Sequence, residues 1–141
     1  MARLRNLRTG DIVAGDVEKA NSLWRRFTGF LTYGTIRPDR GLWFDNCSAI
    51  HTIGMRERID AIFLAKDGRV MRVNYSVAPY RLAVICAGAR AVVELGAAPA
   101  EQRDLQVGDL LALDPSPGRS IEDADEAGVI VRPERNAGVG A

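Results

Sequence analysis

Hydrophobic and polar positions change period once along the chain. Leu23, Phe27, Phe30 and Leu31 recur at helical spacing, with Arg25 and Arg26 on another face and Asn21 or Ser22 able to cap the start. Gly34 and Pro38 break that pattern, so it predicts one amphipathic helix ending near Gly29 to Tyr33, followed by an exposed loop over Arg37 to Gly41. Ahead of the helix, Ile12 to Val17 reads as a strand entered through Gly10-Asp11.

From residue 42 onward the apolar residues fall in short runs separated by turn formers, the signature of a mostly β domain. Leu42-Trp43-Phe44 is the first run. Ile59 to Ala65 is almost continuously apolar and predicts a strand covered on both faces. Asp67-Gly68 then predicts a hairpin with a primed turn, after which Met71, Val73, Tyr75 and Val77 alternate with Arg72, Asn74 and Ser76 as one buried and one wet face. Leu82 to Cys86, Ala91 to Leu95 and Leu110 to Leu113 are further strands, and Pro99 to Asp104 fits one helical turn. Residues 1–114 therefore predict a single β-rich domain. Residues 115–141 are rich in Pro, Gly, Ser, Arg and acids and predict a flexible tail, with Val129-Ile130-Val131 its one apolar cluster.

Composition narrows the function classes. The chain has 141 residues, enough for one ordinary domain, and its 19 basic and 18 acidic side chains nearly cancel. Such balance lacks the footprint of a nucleic-acid binder, so none is expected as a partner. Seventeen of the basic residues are arginine, a skew that carries no functional reading. No apolar run approaches membrane-span or secretory length, so neither a span nor export is expected and the location read from sequence is cytoplasmic. Cys47 and Cys86 are too few for a disulfide scaffold and are expected as reduced thiols.

Phosphate loops, dinucleotide fingerprints and nucleophile elbows are missing from the sequence. The densest reactive group is Cys47, His51 and Met55, four residues apart. On a helix they would align, but the β-branched residues between them favour a strand, where Cys47 and His51 share a face about 13 Å apart. His51 is the sole histidine, so no metal or other cofactor is expected. Cys47 with His51 could also form a thiolate and base, a pairing that spacing alone does not define. Asp60 and Glu94 lie inside apolar runs, where a carboxylate must be paired, hydrogen-bonded or neutral; Arg56 and Arg58 are the nearest partners for Asp60.

Gly41-Leu42-Trp43-Phe44, Cys47, Ile50-His51-Thr52-Ile53-Gly54-Met55-Arg56, Ile59 to Leu64 and Asp67-Gly68-Arg69-Val70, with Arg26, Gly29, Val93-Glu94-Leu95 and Gly108-Asp109-Leu110, resemble the domain of unknown function 192 family over residues 11–114. The chain is similar to the branch with His-Thr-x-Gly-Met-Arg where many members carry Trp-Met-Lys-Asn-Thr. The resemblance implies a compact antiparallel β sandwich or jelly-roll-like barrel with one N-terminal helix packed on it. It implies no established activity, and it suggests an accessory role beside a bacterial pilus or secretion assembly. The expected function is thus a small binding or accessory module with a protein partner and no catalysis of its own. The alternative is an enzyme using Asp60, Glu94 and His51 in one pocket, with Cys47 and Arg56 as further candidates.

Overall fold

The computed structural model describes residues 2–20 and 36–115. It is mainly β: β1 (Ala2–Asn6), β2 (Ile12–Lys19), β3 (Arg40–Asp45), β4 (Ala49–Ile50), β5 (Ile59–Leu64), β6 (Val70–Val77), β7 (Val84–Ile85), β8 (Ala91–Gly96), the short helix α1 (Ala100–Arg103) and β9 (Leu111–Pro115). Seven strands form one sheet in the order β6-β5-β8-β3-β2-β1-β9, and β4 pairs with β7 as a separate ribbon. The helix expected over Leu23 to Leu31 and the tail cluster Val129 to Val131 lie outside the described residues.

The large sheet is mixed. β2 and β3 run parallel, with Asp16 opposite Arg40, and all other pairings in the sheet are antiparallel. It does not close along its length, yet it curls until its two edges meet at one point. There Arg69 bridges to Leu110, the Val70 amide donates to the Asp109 carbonyl and the Leu111 amide to the Gly68 carbonyl. Leu4, Val17, Ile62, Leu64, Val70, Val93, Leu95 and Leu111, drawn from centre and edges alike, pack together inside this curl. The other face carries a second core of Leu42, Phe44, Ile59, Phe63 and Val92, covered by Ile50 and Val84 of the ribbon and by Ile36, Met55 and Ala89.

Being covered on both faces explains the nearly continuous apolar runs of β5 and β8, interrupted only by Asp60 and Glu94, in which all six residues are buried. The edge strand β6 departs from the simple alternation expected of it. Ile62 faces Val73, Phe63 faces Arg72, but Leu64 faces Val70, so one extra residue intrudes and Met71 turns to the outer core while Val73 stays inside. A bulge of this kind exchanges the faces of a strand and bends its edge away from further pairing.

The β5–β6 turn also differs in type from the primed turn expected. The Gly68 amide donates to the Ala65 carbonyl (3.0 Å), the Ala65 amide donates to the Arg69 carbonyl (2.8 Å), and only Gly68 has positive φ, at 89°. That is a three-residue loop closed by a glycine bulge. Arg40 and Gly41, expected in an exposed loop, instead begin β3, and Gly41 is buried. Ahead of them the Ile36-Arg37 backbone crosses β8 so closely at Gly96 that any β-carbon there would collide with both carbonyls.

Candidate functional site

Asp60 stands on β5 in register with Ile62 and Leu64, so its side chain enters the interior of the curl. Its Oδ1 accepts from the Ser76 amide (2.8 Å); its Oδ2 accepts from the Ala98 amide (3.1 Å) and from Arg103 Nε (2.6 Å). The Arg103 guanidinium also donates to the carbonyls of Val13, Pro38 and Gly96. Both side chains are buried. Asp60 therefore holds α1 against one end of the curl and ties together β2, β6, the approach to β3 and the end of β8. Neither Arg56 nor Arg58 serves it, which corrects the sequence expectation: Arg58 donates instead to the Ser76 carbonyl, and Arg56 is exposed. Proximity in sequence misled because the partner sits 43 residues further on, in a four-residue helix.

Glu94 lies in β8 opposite Leu42 and Ala61, in register with Val92, and so belongs to the outer face. Asp60 and Glu94 thus leave opposite faces of one sheet and do not form an acid–base pair. No hydrogen-bond donor among the described residues meets the Glu94 carboxyl, and burial pushes its pKa up to about 8.

His51 follows β4 and is half-buried, with Nδ1 secluded and without a hydrogen-bond partner among the described residues. Cys47 and Met55 pack into the outer core, and the Cys47 thiol donates to the Ala49 carbonyl. Among the described residues no three His, Cys, Asp or Glu side chains are grouped to hold a metal ion. Only Ala49 and Ile50 form a strand in this stretch; the rest is a latch built on Thr52, which the sequence placed in the His-Thr-x-Gly-Met-Arg motif without giving it a role. The Thr52 hydroxyl donates to the Ala78 carbonyl (2.7 Å) and accepts from the Arg81 amide (2.8 Å), while its backbone pairs with Tyr80 and Arg81.

That latch joins the backbone next to Ile53 to the Tyr80–Arg81 segment that leads to Leu82, and the ribbon adds Ile85, whose neighbour Val84 points into the core. The four outward side chains are 43%, 69%, 80% and 60% exposed, an unusual concentration for apolar groups. Arg72, which donates to the Ile85 carbonyl, and Arg81 edge the group with positive charge.

A second feature lies at the end of the curl opposite α1. A cavity of about 230 Å³ opens between the end of β3, the β5–β6 turn and the start of β8, lined by Trp43, Asp45, Lys66, Gly68 and Arg90 among others. Trp43 packs its inner side on the curl's core, and its indole N–H donates to Asp45 (2.8 Å). Lys19 pairs with the same carboxylate (3.3 Å) and lies 6.0 Å from the centre of the indole.

Comparison with known proteins follows from this fold. The model of the DUF192 family, described as Uncharacterized ACR, matches residues 5–113. A crystal structure from Sinorhizobium meliloti 1021, of a protein described as a "putative transcription regulator", is similar with TM-score 0.67 and 22% identity, covering 79% of this chain and 91% of that one. A protein of unknown function from Novosphingobium aromaticivorans DSM 12444 is similar with TM-score 0.66 and 19% identity, covering 79% and 82% respectively. Likeness at this identity concerns the fold alone. Comparison with curated proteins gives no match.

Proposed function

The chain belongs to the DUF192 family, and from that premise we propose that it is a non-catalytic binding module that docks a protein partner on the outward face of the β4–β7 ribbon. The observation that carries this reading is the cluster of Ile53, Tyr80, Leu82 and Ile85, held outward by the Thr52 latch while neighbouring apolar residues turn inward. Covering such side chains gains about 25 cal/mol per Å² of apolar surface, and Tyr is a frequent anchor of interfaces. The basic edge at Arg72 and Arg81 favours a partner segment with acids flanking an apolar stretch. Separation of Asp60 from Glu94 across the sheet, with Asp60 committed to Arg103, supports a role without chemistry on these groups. A pilus or secretion assembly is the setting we assign to that partner, and the cytoplasm its compartment. Among the described residues no helix is long and apolar enough to cross a membrane.

Placing a photoreactive side chain at Leu82, and for contrast at Val107, which is also highly exposed, tests the proposal in cells. One discrete adduct from position 82 that disappears in Tyr80→Asp, with position 107 giving none, is the expected result. Equal or absent adducts at both positions would sink it.

A further inference from the structure

Independently of the ribbon, the open end of the curl has the composition of a small-molecule site. Of the charged groups around the cavity, Asp45 is already engaged by Lys19 and by the Trp43 indole. Lys66 and Arg90 have no ion-pair or hydrogen-bond partner for their side chains among the described residues, although both line the same opening. The nearest acid in sequence to Lys66, Asp67, pairs instead with Arg69. Counting Lys19, Lys66 and Arg90 against Asp45 leaves the mouth with an excess of two positive charges. Such an excess, partly walled by protein, attracts a dianion more strongly than the same charges on open surface.

Size and lining narrow the ligand. The cavity of about 230 Å³ is below the range typical of drug-sized ligands, and at about 30 Å³ per water it has room for a group of roughly seven or eight waters. The indole, fixed by the core on its inner side and carrying the Lys19 ammonium 6.0 Å over its ring, leaves the part that lines the cavity for contact with a flat ring. Gly68 is held at positive φ by the turn, and a β-carbon there would strike the Leu111 carbonyl, so the turn that carries Lys66 is fixed against β9. We propose that this mouth binds a phosphate monoester carried on a small planar ring, with Lys66 and Arg90 on the phosphate and Trp43 against the ring. Arg90 is held where it can do so: its amide donates to the Leu64 carbonyl (2.7 Å) and its carbonyl accepts from the Cys47 amide, so the residue is pinned between β5 and the approach to β4. The mouths of curled and closed sheets are common ligand sites because one end can be plugged by the fold while the other stays open.

Ligand-observed phosphorus NMR of the full chain at constant ionic strength tests the site, with phenyl phosphate and inorganic phosphate as probes. Phenyl phosphate should bind saturably and about tenfold more tightly than inorganic phosphate, the difference being the ring on Trp43, worth about one decade. Lys66→Ala and Arg90→Ala should each weaken both probes about tenfold, as loss of a charge-assisted hydrogen bond does. Trp43→Leu should erase the difference between the probes. Should that variant fail to fold, the two exposed-cation variants decide alone. Absence of saturation, or binding that survives the Lys66→Ala/Arg90→Ala double substitution, would overturn the proposal.

Discussion

The two ends of the curled sheet treat charge in opposite ways. Where β5 starts and β8 finishes, Asp60 accepts three hydrogen bonds and Arg103 spreads its donors over three carbonyls besides. Where β5 turns into β6, Lys66 and Arg90 meet no carboxylate among the described residues. Burial explains the contrast: a charge removed from water must be bonded, whereas one at an open mouth keeps its hydration until a ligand replaces it. The first end therefore serves the fold and the second is free to bind, so substitutions at the two ends should separate stability from recognition. Glu94, between them on the outer face, is the intermediate case: buried like Asp60 and, among the described residues, without a partner like Lys66.

Breaking the closed end should have the largest effect. Asp60→Ala leaves the Arg103 guanidinium buried without its counter-charge and two amides without acceptors, and should cost about 3 to 5 kcal/mol in denaturant unfolding. Adding Arg103→Met should return part of that loss, because the orphaned charge is then gone. If Asp60→Ala left the unfolding midpoint in place, α1 would not be anchored by this pair.

Glu94 should behave in the opposite sense, and with a pH signature. Its carboxyl is lifted from 4.5 to about 8 in the folded protein, so between these values the native state holds a proton that the unfolded chain has released. Stability therefore falls as pH rises through that window, and the penalty is complete above it. Glu94→Gln cannot ionise; it should match the wild type near pH 5 and exceed it by about 1 to 3 kcal/mol near pH 9, less than the full shift because an unpartnered amide is still buried. Melting curves across that range check it, and parallel pH profiles for the two proteins would show that Glu94 ionises freely in the fold.

How far these features were visible beforehand depends on whether their cause was local. β5 and β8 were legible because burial on both faces leaves a nearly continuous apolar run, and the turn at Gly68 because positive φ selects glycine. β1 was not: Leu4 and Asn6 are buried, but Arg3 and Arg5, which alternate with them, gave the segment the look of a charged terminus rather than an alternating strand. Asp60 and Glu94 could be flagged from sequence as acids in apolar surroundings, whereas their separation to opposite faces required the registers of two strands. Arg103 and Thr52 act through long-range contacts: Arg103 carries no sequence signal that distinguishes it from other arginines, and the motif around Thr52 does not say what its hydroxyl holds. The mouth cavity assembles three segments far apart in the chain, so no local pattern could announce it.

Asp109 sharpens the comparison, since it is a second buried carboxylate, at the seam where the sheet's two edges meet, but bonded to a half-exposed arginine. It accepts from Arg8 Nε (2.6 Å), Asn6 Nδ2 (2.9 Å) and the Gln106 amide (2.9 Å), and the Arg8 hydrogen bond, the strongest influence, holds its pKa below the usual range. Asp109→Ala should cost about 1 to 2 kcal/mol at neutral pH, less than Asp60→Ala because water can reach Arg8 and replace the lost partner. A carboxylate with a depressed folded pKa contributes its stability above the unfolded value, so the difference from wild type should shrink as pH falls below about 4. A gap that stays constant into acid would assign the effect to lost packing.

At the open mouth, Lys66→Ala and Arg90→Ala should change stability least, by no more than about 0.5 kcal/mol each, as for surface groups without a structural partner. Both side chains are engaged with no described residue, and each removal also relieves some repulsion from the cations that remain. The double substitution should accordingly fall slightly below the sum of the singles, because each single already relieves the one Lys66–Arg90 repulsion, and its stability should depend less on salt, because screening has less like-charge repulsion to weaken. The measurement is guanidine-free: thermal unfolding at low and at physiological ionic strength, where an added ionic denaturant would screen the effect being sought. A loss of more than about 1 kcal/mol in either single variant would mean that the side chain closes the mouth rather than standing at it. The two ends would then be alike in serving the fold, and the contrast between them would fail at its weaker half.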